Sequence, residues 1–274
     1  MRDKVFLILA VLGVSLAAQR AQEVMMESEV RGFSLPLYNR DQQLQARITG
    51  SRATFPDEER IHIYNLHAEL YESGAVQSKV TSPEAVFYKS EQRLEVQSGV
   101  QIEHPQIDIQ SEGMNWRIPQ RQGEFRGKVI MTLHKPLDSA STREDQDVVI
   151  FADRLFLYLA EGKGIFYGKV SVRHSKGSVQ CERGEIEFEP RRPERVIRFI
   201  AQGQVRWDSG KRSGRCHTLS HDWVRNRIFL QGQVVIEDEK HRLISERVVW
   251  DEENHRLRSG GLSRVEIVSE GAQR

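Results

Sequence analysis

The chain has 274 residues and a formal net charge of +1, with 40 Lys and Arg set against 39 Asp and Glu. So even a balance supplies no basic field and argues against a dedicated nucleic-acid binder. Hydrophobic residues make up 38% and charged residues 29%, which fits a thin or open fold with much surface per residue better than a rounded core.

In chain order, the first predicted element is an export signal. Arg2 and Lys4 precede the apolar run VFLILAVLGVSLAA, residues 5–18, and polar chain resumes at Gln19. A basic start, a short apolar stretch and small residues at Ser15 and Ala17 predict a signal peptide cleaved after Ala17. The rival reading of 1–18 is a short membrane anchor, for which about twenty apolar residues are usual. No Cys follows the run, which argues against a lipoprotein.

From residue 31 onward the pattern is β and repetitive. A glycine followed two residues later by valine recurs as GKVIM at Gly127, GKVSV at Gly168, GQVRW at Gly203 and GQVVI at Gly232. Weaker copies are SGVQI, with Gly99 and Val100, and GLSRVEI, with Gly261 and Val265. The valines Val100, Val129, Val170, Val205, Val234 and Val265 are 29, 41, 35, 29 and 31 residues apart. A unit of about thirty residues is therefore repeated. After each glycine, apolar residues alternate with polar ones, as in Val170/Val172 around Ser171, which is the period of a half-buried strand. Upstream stand the aromatics Tyr88, Trp116, Tyr158, Phe188, Trp223 and Trp250, each followed by a polar turn. A degenerate early copy is ATFPDEERIHIYN, residues 53–65. Asn65 there occupies the glycine position, since Asn also tolerates positive φ.

One such unit cannot cover its own apolar face, so neighbouring units must stack. The predicted fold is all-β: two facing sheets with a narrow apolar interior, as a β-jellyroll or β-solenoid, with glycines where the chain bends between sheets. The polar stretch HKPLDSASTREDQD, residues 134–147, lengthens one repeat and reads as a loop or hinge. It divides the chain into 31–133 and 148–270, either two stacks or one continuous stack with an insertion. The open ends of a stack are strand edges that a second chain can extend.

These features together resemble the OstA-like family of lipopolysaccharide-transport proteins, which includes the periplasmic LptA and LptC proteins. FSLPLYNRDQQLQARITGSRATF, residues 33–55, is similar to the start of an LptC-like half. FADRLFLYLAEGKGIFYGKVSV, beginning at Phe151, is similar to the rungs of an LptA-like half. The resemblance implies a V-shaped β-jellyroll whose apolar groove holds lipid acyl chains. It also implies periplasmic subunits joined edge to edge between the two membranes, and an inner-membrane ABC transporter as the energy source. With it come three expected absences: no cofactor, no metal and no enzymatic activity.

Burying hydrocarbon is worth about 0.8 kcal/mol per CH2, so a multi-chain lipid needs a continuous trough. Residues equivalent in each repeat would line it: Val100, Ile102, Val129, Met131, Val170, Val172, Val205, Trp207, Val234 and Ile236. Plain core filling is the competing role for each. Basic residues at Arg173, Lys176, Arg191, Arg192, Arg195, Lys211 and Arg212 are candidate rim contacts for lipid phosphates. Cys181 and Cys216 each lie thirteen residues after a repeat glycine. A disulfide is open to them if their strands are neighbours and closed if another strand intervenes. His217 and His221 beside Cys216 raise a zinc site, but i, i+4 spacing shares a face on a helix and not on a strand. No nucleophile elbow, phosphate loop or zinc-protease motif occurs. Two alternatives remain at this level, an exported scaffold or adhesion solenoid and a polysaccharide-acting β-solenoid enzyme. The first requires a closed, dry interior and the second a ladder of acids on one exposed face.

Overall fold

The computed structural model describes residues 28–72, 74–134, 147–189, 192–251, 253–254 and 256–267, without the side chains of 192–195. The apolar segment 1–18 and residues 135–146 of the loop lie outside the described residues. The described chain is almost entirely strand, with one 3-10 turn at Leu159–Glu161.

Seventeen strands follow one another along the chain. The first nine are β1 (Ser28–Tyr38), β2 (Leu44–Phe55), β3 (Arg60–Glu72), β4 (Ala75–Tyr88), β5 (Arg93–Val96), β6 (Val100–Glu103), β7 (Ile107–Ser111), β8 (Gly113–Arg117) and β9 (Gln122–Leu133). After the loop come β10 (Val148–Tyr158), β11 (Lys163–His174), β12 (Gly177–Glu189), β13 (Arg192–Asp208), β14 (Ser213–Asp222), β15 (Arg227–Glu237), β16 (His241–Asp251) and β17 (Arg256–Ile267). Each long strand pairs antiparallel with the next. In the middle, two rungs are broken in half: β4 pairs with both β5 and β6, and β9 with both β7 and β8. The halves of the molecule form one ladder, because β9 pairs with β10 from Leu133↔Val148 to Gln122↔Tyr158.

The repeat glycines are where the strands bend. At Gly168 and Lys169 two successive residues take positive φ, 75° and 46°, and the same pairing occurs at Gly127/Lys128, Gly203/Gln204 and Gly232/Gln233. Opposite them the neighbour supplies one residue: the register passes from Tyr167↔Arg183 directly to Val170↔Cys181. Two residues against one is a β-bulge, which kinks the strand. Asn65 also takes positive φ, 51°, though without a bulge against β4, and its Nδ2 donates to Ser51 Oγ at 2.9 Å.

Because every bend lies at the same height, the strands form two layers. Residues such as 93–96, 113–117, 122–126 and 163–167 make an A layer; 100–103, 129–133, 170–174 and 234–237 make a B layer. Both layers turn their apolar residues onto one another, and a single hydrophobic cluster runs from Leu37 on β1 to Val248 on β16. This is a repeat-built β-jellyroll.

Candidate functional site: an apolar interior between two layers

All ten residues predicted to line a trough lie in the B layer and meet in that one cluster. Nine are buried: Val100, Ile102, Val129, Met131, Val170, Val205, Trp207, Val234 and Ile236. Val172 is only partly buried and packs against the others. Their alternation puts them on one face, and the aligned bends keep that face continuous from rung to rung.

The opposite wall is the A layer, which the glycine-valine phrase does not mark. Leu94, Met114, Trp116, Phe125, Phe166 and Phe188 are among its contributors, all buried. The signal was present in the sequence as aromatics upstream of each glycine. Trp116 and Phe188 belong to the core, and Trp223 and Trp250 pack on it. Tyr88 turns elsewhere, with the Arg93 guanidinium 3.7 Å over its ring.

Between the layers of the amino-terminal half lies an apolar cavity of about 90 Å³. Ile48, Val80 and Ile109 border it from the B layer, and Leu94, Met114 and Trp116 from the A layer. That volume is far less than a lipid needs. Glu72 at the end of β3 and Arg121 in the β8–β9 turn stand at its edge, joined by a 3.1 Å ion pair across the gap between layers. In the carboxy-terminal half Trp207 is enclosed over Gly214, and its indole Nε1 has no hydrogen-bond partner.

The bends share a further regularity. A side chain from the neighbouring rung folds over each bend glycine: Glu112 on Gly127, Asp153 on Gly168, Glu182 on Gly203, His217 on Gly232 and Glu246 on Gly261. A Cβ at these glycines would collide with it, so the position demands glycine for space as well as for φ. Four of these five residues stand fifteen positions before their glycine, a spacing that was readable. It also identifies His217 as one of these covering residues rather than a metal ligand. Among the described residues no group of three His, Cys, Asp or Glu is arranged to hold a metal.

Cys181 lies on β12 and Cys216 on β14, with β13 between them, and both are free thiols. Of the two alternatives left by spacing, the intervening strand selects the one in which no bridge closes. Burial pushes each thiol up to about 11, so neither is a thiolate at neutral pH. Of the predicted rim cations, Arg173 lies over the Phe151 ring at 4.9 Å and Arg212 over Trp250 at 5.3 Å. Lys176 and Lys211 are exposed in turns of the B layer. Arg191 and the side chains of Arg192 and Arg195 lie outside the described residues.

His134 sits where the two halves join, its Nε2 3.0 Å from Asp108 and its Nδ1 3.3 Å from Asp147. Burial opposes its protonation, but the two carboxylates outweigh that and raise its pKa.

Among the described residues no helix is long and apolar enough to cross a membrane. No curated protein matches the sequence. Among solved structures, LptH of Pseudomonas aeruginosa, described as the LptA homologous periplasmic component of the lipopolysaccharide transport device, is similar over 46% of this chain and 97% of its own. The identity is 15% and the TM-score 0.41. The family model described as lipopolysaccharide-assembly, LptC-related, matches residues 6–129, a match consistent with the OstA-like family of lipopolysaccharide-transport proteins.

Proposed function

We propose that this protein works in the periplasm as a bridge or docking subunit of lipopolysaccharide export, guiding lipid acyl chains along the interior between its A and B layers. The observation that carries the reading is the single apolar cluster spanning almost every rung, in a chain whose residues 6–129 are LptC-related. A trough of this kind suits a ligand recognised by its hydrocarbon: burial at about 0.8 kcal/mol per CH2 holds several chains without a specific pocket.

The cavity between the layers measures about 90 Å³, too little for a lipid, so loading requires the layers to part. The bends are the hinge, and at the open side the layers are held by side chains such as the Arg121–Glu72 pair. Arriving acyl chains replace the interlayer contacts they displace, so opening is offset by burial of the ligand. Trp207 Nε1 offers a donor to a lipid oxygen inside. No ATP-binding motif is present, so energy comes from an inner-membrane transporter.

The ends of the ladder supply the route onward. Among the described residues β1 pairs only with β2 and β17 only with β16. On β17, Val265 is 66% and Ile267 80% exposed, although Val265 is in register with the core-packed Leu243. They are interior positions with no rung above them. A further OstA-like subunit pairing on this edge would cover them and extend the trough. In this reading 31–133 and 148–270 remain LptC-like and LptA-like segments, and residues 1–18 direct export or tether the chain to the inner membrane.

The test is a photo-crosslinking amino acid at Val172, which is only partly buried, with the enclosed Val234 as a second position. Lipopolysaccharide adducts in cells are expected at both. A folded protein that yields none at any interior position rules the carrier reading out and leaves a closed scaffold.

A further inference from the structure

The outer face of the carboxy-terminal B layer carries a second feature, separate from the interior. One register row crosses five strands there: Arg206 on β13 opposite Arg215 on β14, then Val235 on β15, Ile244 on β16 and Arg264 on β17. Arg206 and Arg215 are both exposed, directly opposed, and without a carboxylate partner among the described residues. Like charges facing across a strand pair destabilise it. In the other directly opposed arginine pairs at least one member holds a carboxylate: Arg93, opposite Arg117, on Glu91 and Glu95; Arg154, opposite Arg126, on Glu124; and Arg31 and Arg52 on Glu29.

Next to the arginine pair the surface turns apolar. Val235 is 7% exposed yet stands outside the core cluster, because Val234 and Ile236 face inward and it faces out. Ile244 adjoins it, and Leu262, diagonal to it on β17, is 86% exposed. These residues line an open depression of about 860 Å³, and a second of about 500 Å³ shares Arg206, Arg215 and Val235 with it. Carboxylates border both. Glu237 is held by Arg242 at 3.0 Å, and Glu246 is folded over Gly261 at the bend, so neither neutralises the pair.

We propose that this outer depression binds a phosphate-bearing amphiphile, its phosphate between Arg206 and Arg215 and its hydrocarbon on Val235, Ile244 and Leu262. Two guanidinium forks side by side suit a phosphate, which accepts from both in bidentate fashion. The apolar floor begins where the charge ends, so an amphiphile satisfies both parts and a free anion only one. The site does not rest on the interior trough, since it lies on the opposite face of the same strands.

Calorimetric titration of the full chain with dodecyl phosphate below its micelle concentration tests the site. Saturable binding is expected, with inorganic phosphate and a neutral dodecyl detergent each about tenfold or more weaker. Arg206→Gln combined with Arg215→Gln should lose about tenfold or more in affinity, and Val235→Ser should weaken dodecyl phosphate while leaving inorganic phosphate unchanged. The arginine variant relieves a like-charge contact and so should fold; unchanged circular dichroism and melting check this, with Arg215→Gln alone as the milder form. Undiminished binding in the double variant places the amphiphile inside the trough and overturns the proposal. Equal binding of inorganic phosphate makes it an anion site only and overturns it as well, as does no binding at all. None of these outcomes alters what crosslinks at Val172 report about the interior.

Discussion

The two halves of the ladder are written in one grammar but differ in the continuity of their strands. In residues 28–134 two rungs are broken, β5 from β6 at 97–99 and β7 from β8 at Glu112, and the space that results lies inside, among Leu94, Met114 and Ile109. In residues 147–267 the strands run unbroken through their bends, the interior is filled by Phe166, Phe188, Phe199 and Val234, and the sizeable depressions lie outside over Val235. A bulge keeps a strand continuous while turning it; a break lets the two layers separate locally. The cavity between the layers thus goes with the broken rungs, while open depressions occur on both halves, about 520 Å³ beside Tyr38 and Gln92 in the first and about 860 Å³ over Val235 in the second.

The largest effect expected is at the closed interior. Val205 has no exposure, so Val205→Asp buries a charge with no partner and should cost about 3 kcal/mol or more. The partly buried Val172, changed to Asp, should cost about 1 kcal/mol because its carboxylate can reach water. Urea denaturation of both reads the difference, and equal losses would mean that the trough has no accessible margin. Blocked lipid passage is then measurable on the Val172 variant, which remains folded.

Next come the bends. Gly168→Ala combines positive φ with collision against Asp153 and should cost about 2 kcal/mol or more. Gly99→Ala lies at the broken rung with nothing within 4 Å of the added Cβ, leaving only the backbone strain of about 1 kcal/mol. Reversal of that order would deny that the covering side chain adds to the cost at a packed bend.

Smaller still is the clasp at the open side. Arg121→Ala removes an exposed ion pair worth about 0.5 kcal/mol, so melting should barely move, while uptake of an apolar fluorescent probe should rise. Unchanged uptake would separate the pair from gating.

The smallest prediction concerns the junction. The raised pKa of His134 means that the folded state binds the proton more tightly than the unfolded chain. Its contribution, about 0.5 kcal/mol, is complete below the unfolded value near 6.5 and fades as pH rises through the higher folded value. The stability gap between wild type and His134→Gln should therefore be widest near pH 5.5 and vanish in alkali. A gap that grows with pH would contradict the geometry at Asp108 and Asp147.

Much of this architecture was legible before any coordinates. Alternation after each glycine announced strands, and repetition announced stacking. Even Asn65 could be read as a bend, because few residues other than Gly and Asn accept positive φ cheaply. The far wall was less visible. Leu94, Met114 and Phe125 follow the same alternation, but no conserved-looking phrase flags them, and a wall is defined only by what it faces. The two-residue period already sends Val235 outward, since Val234 and Ile236 take the inner face; what it could not show is that Val235 would be covered there, opposite Arg215.

What the sequence by itself determined is local and periodic: strand after strand, a bend at every repeat glycine, an apolar face on each strand, and two cysteines in equivalent places. Those follow from steric limits on φ and ψ and from the two-residue period of side chains, which need no partner to operate. The tertiary structure decided which strands became neighbours and therefore everything that depends on adjacency. It put β13 between Cys181 and Cys216, joined β9 to β10 across the loop, set Arg206 against Arg215, and, among the described residues, gave β17 a neighbour on one side. Pairing brings together residues whose separation along the chain is long and variable, and no period in the sequence encodes that distance.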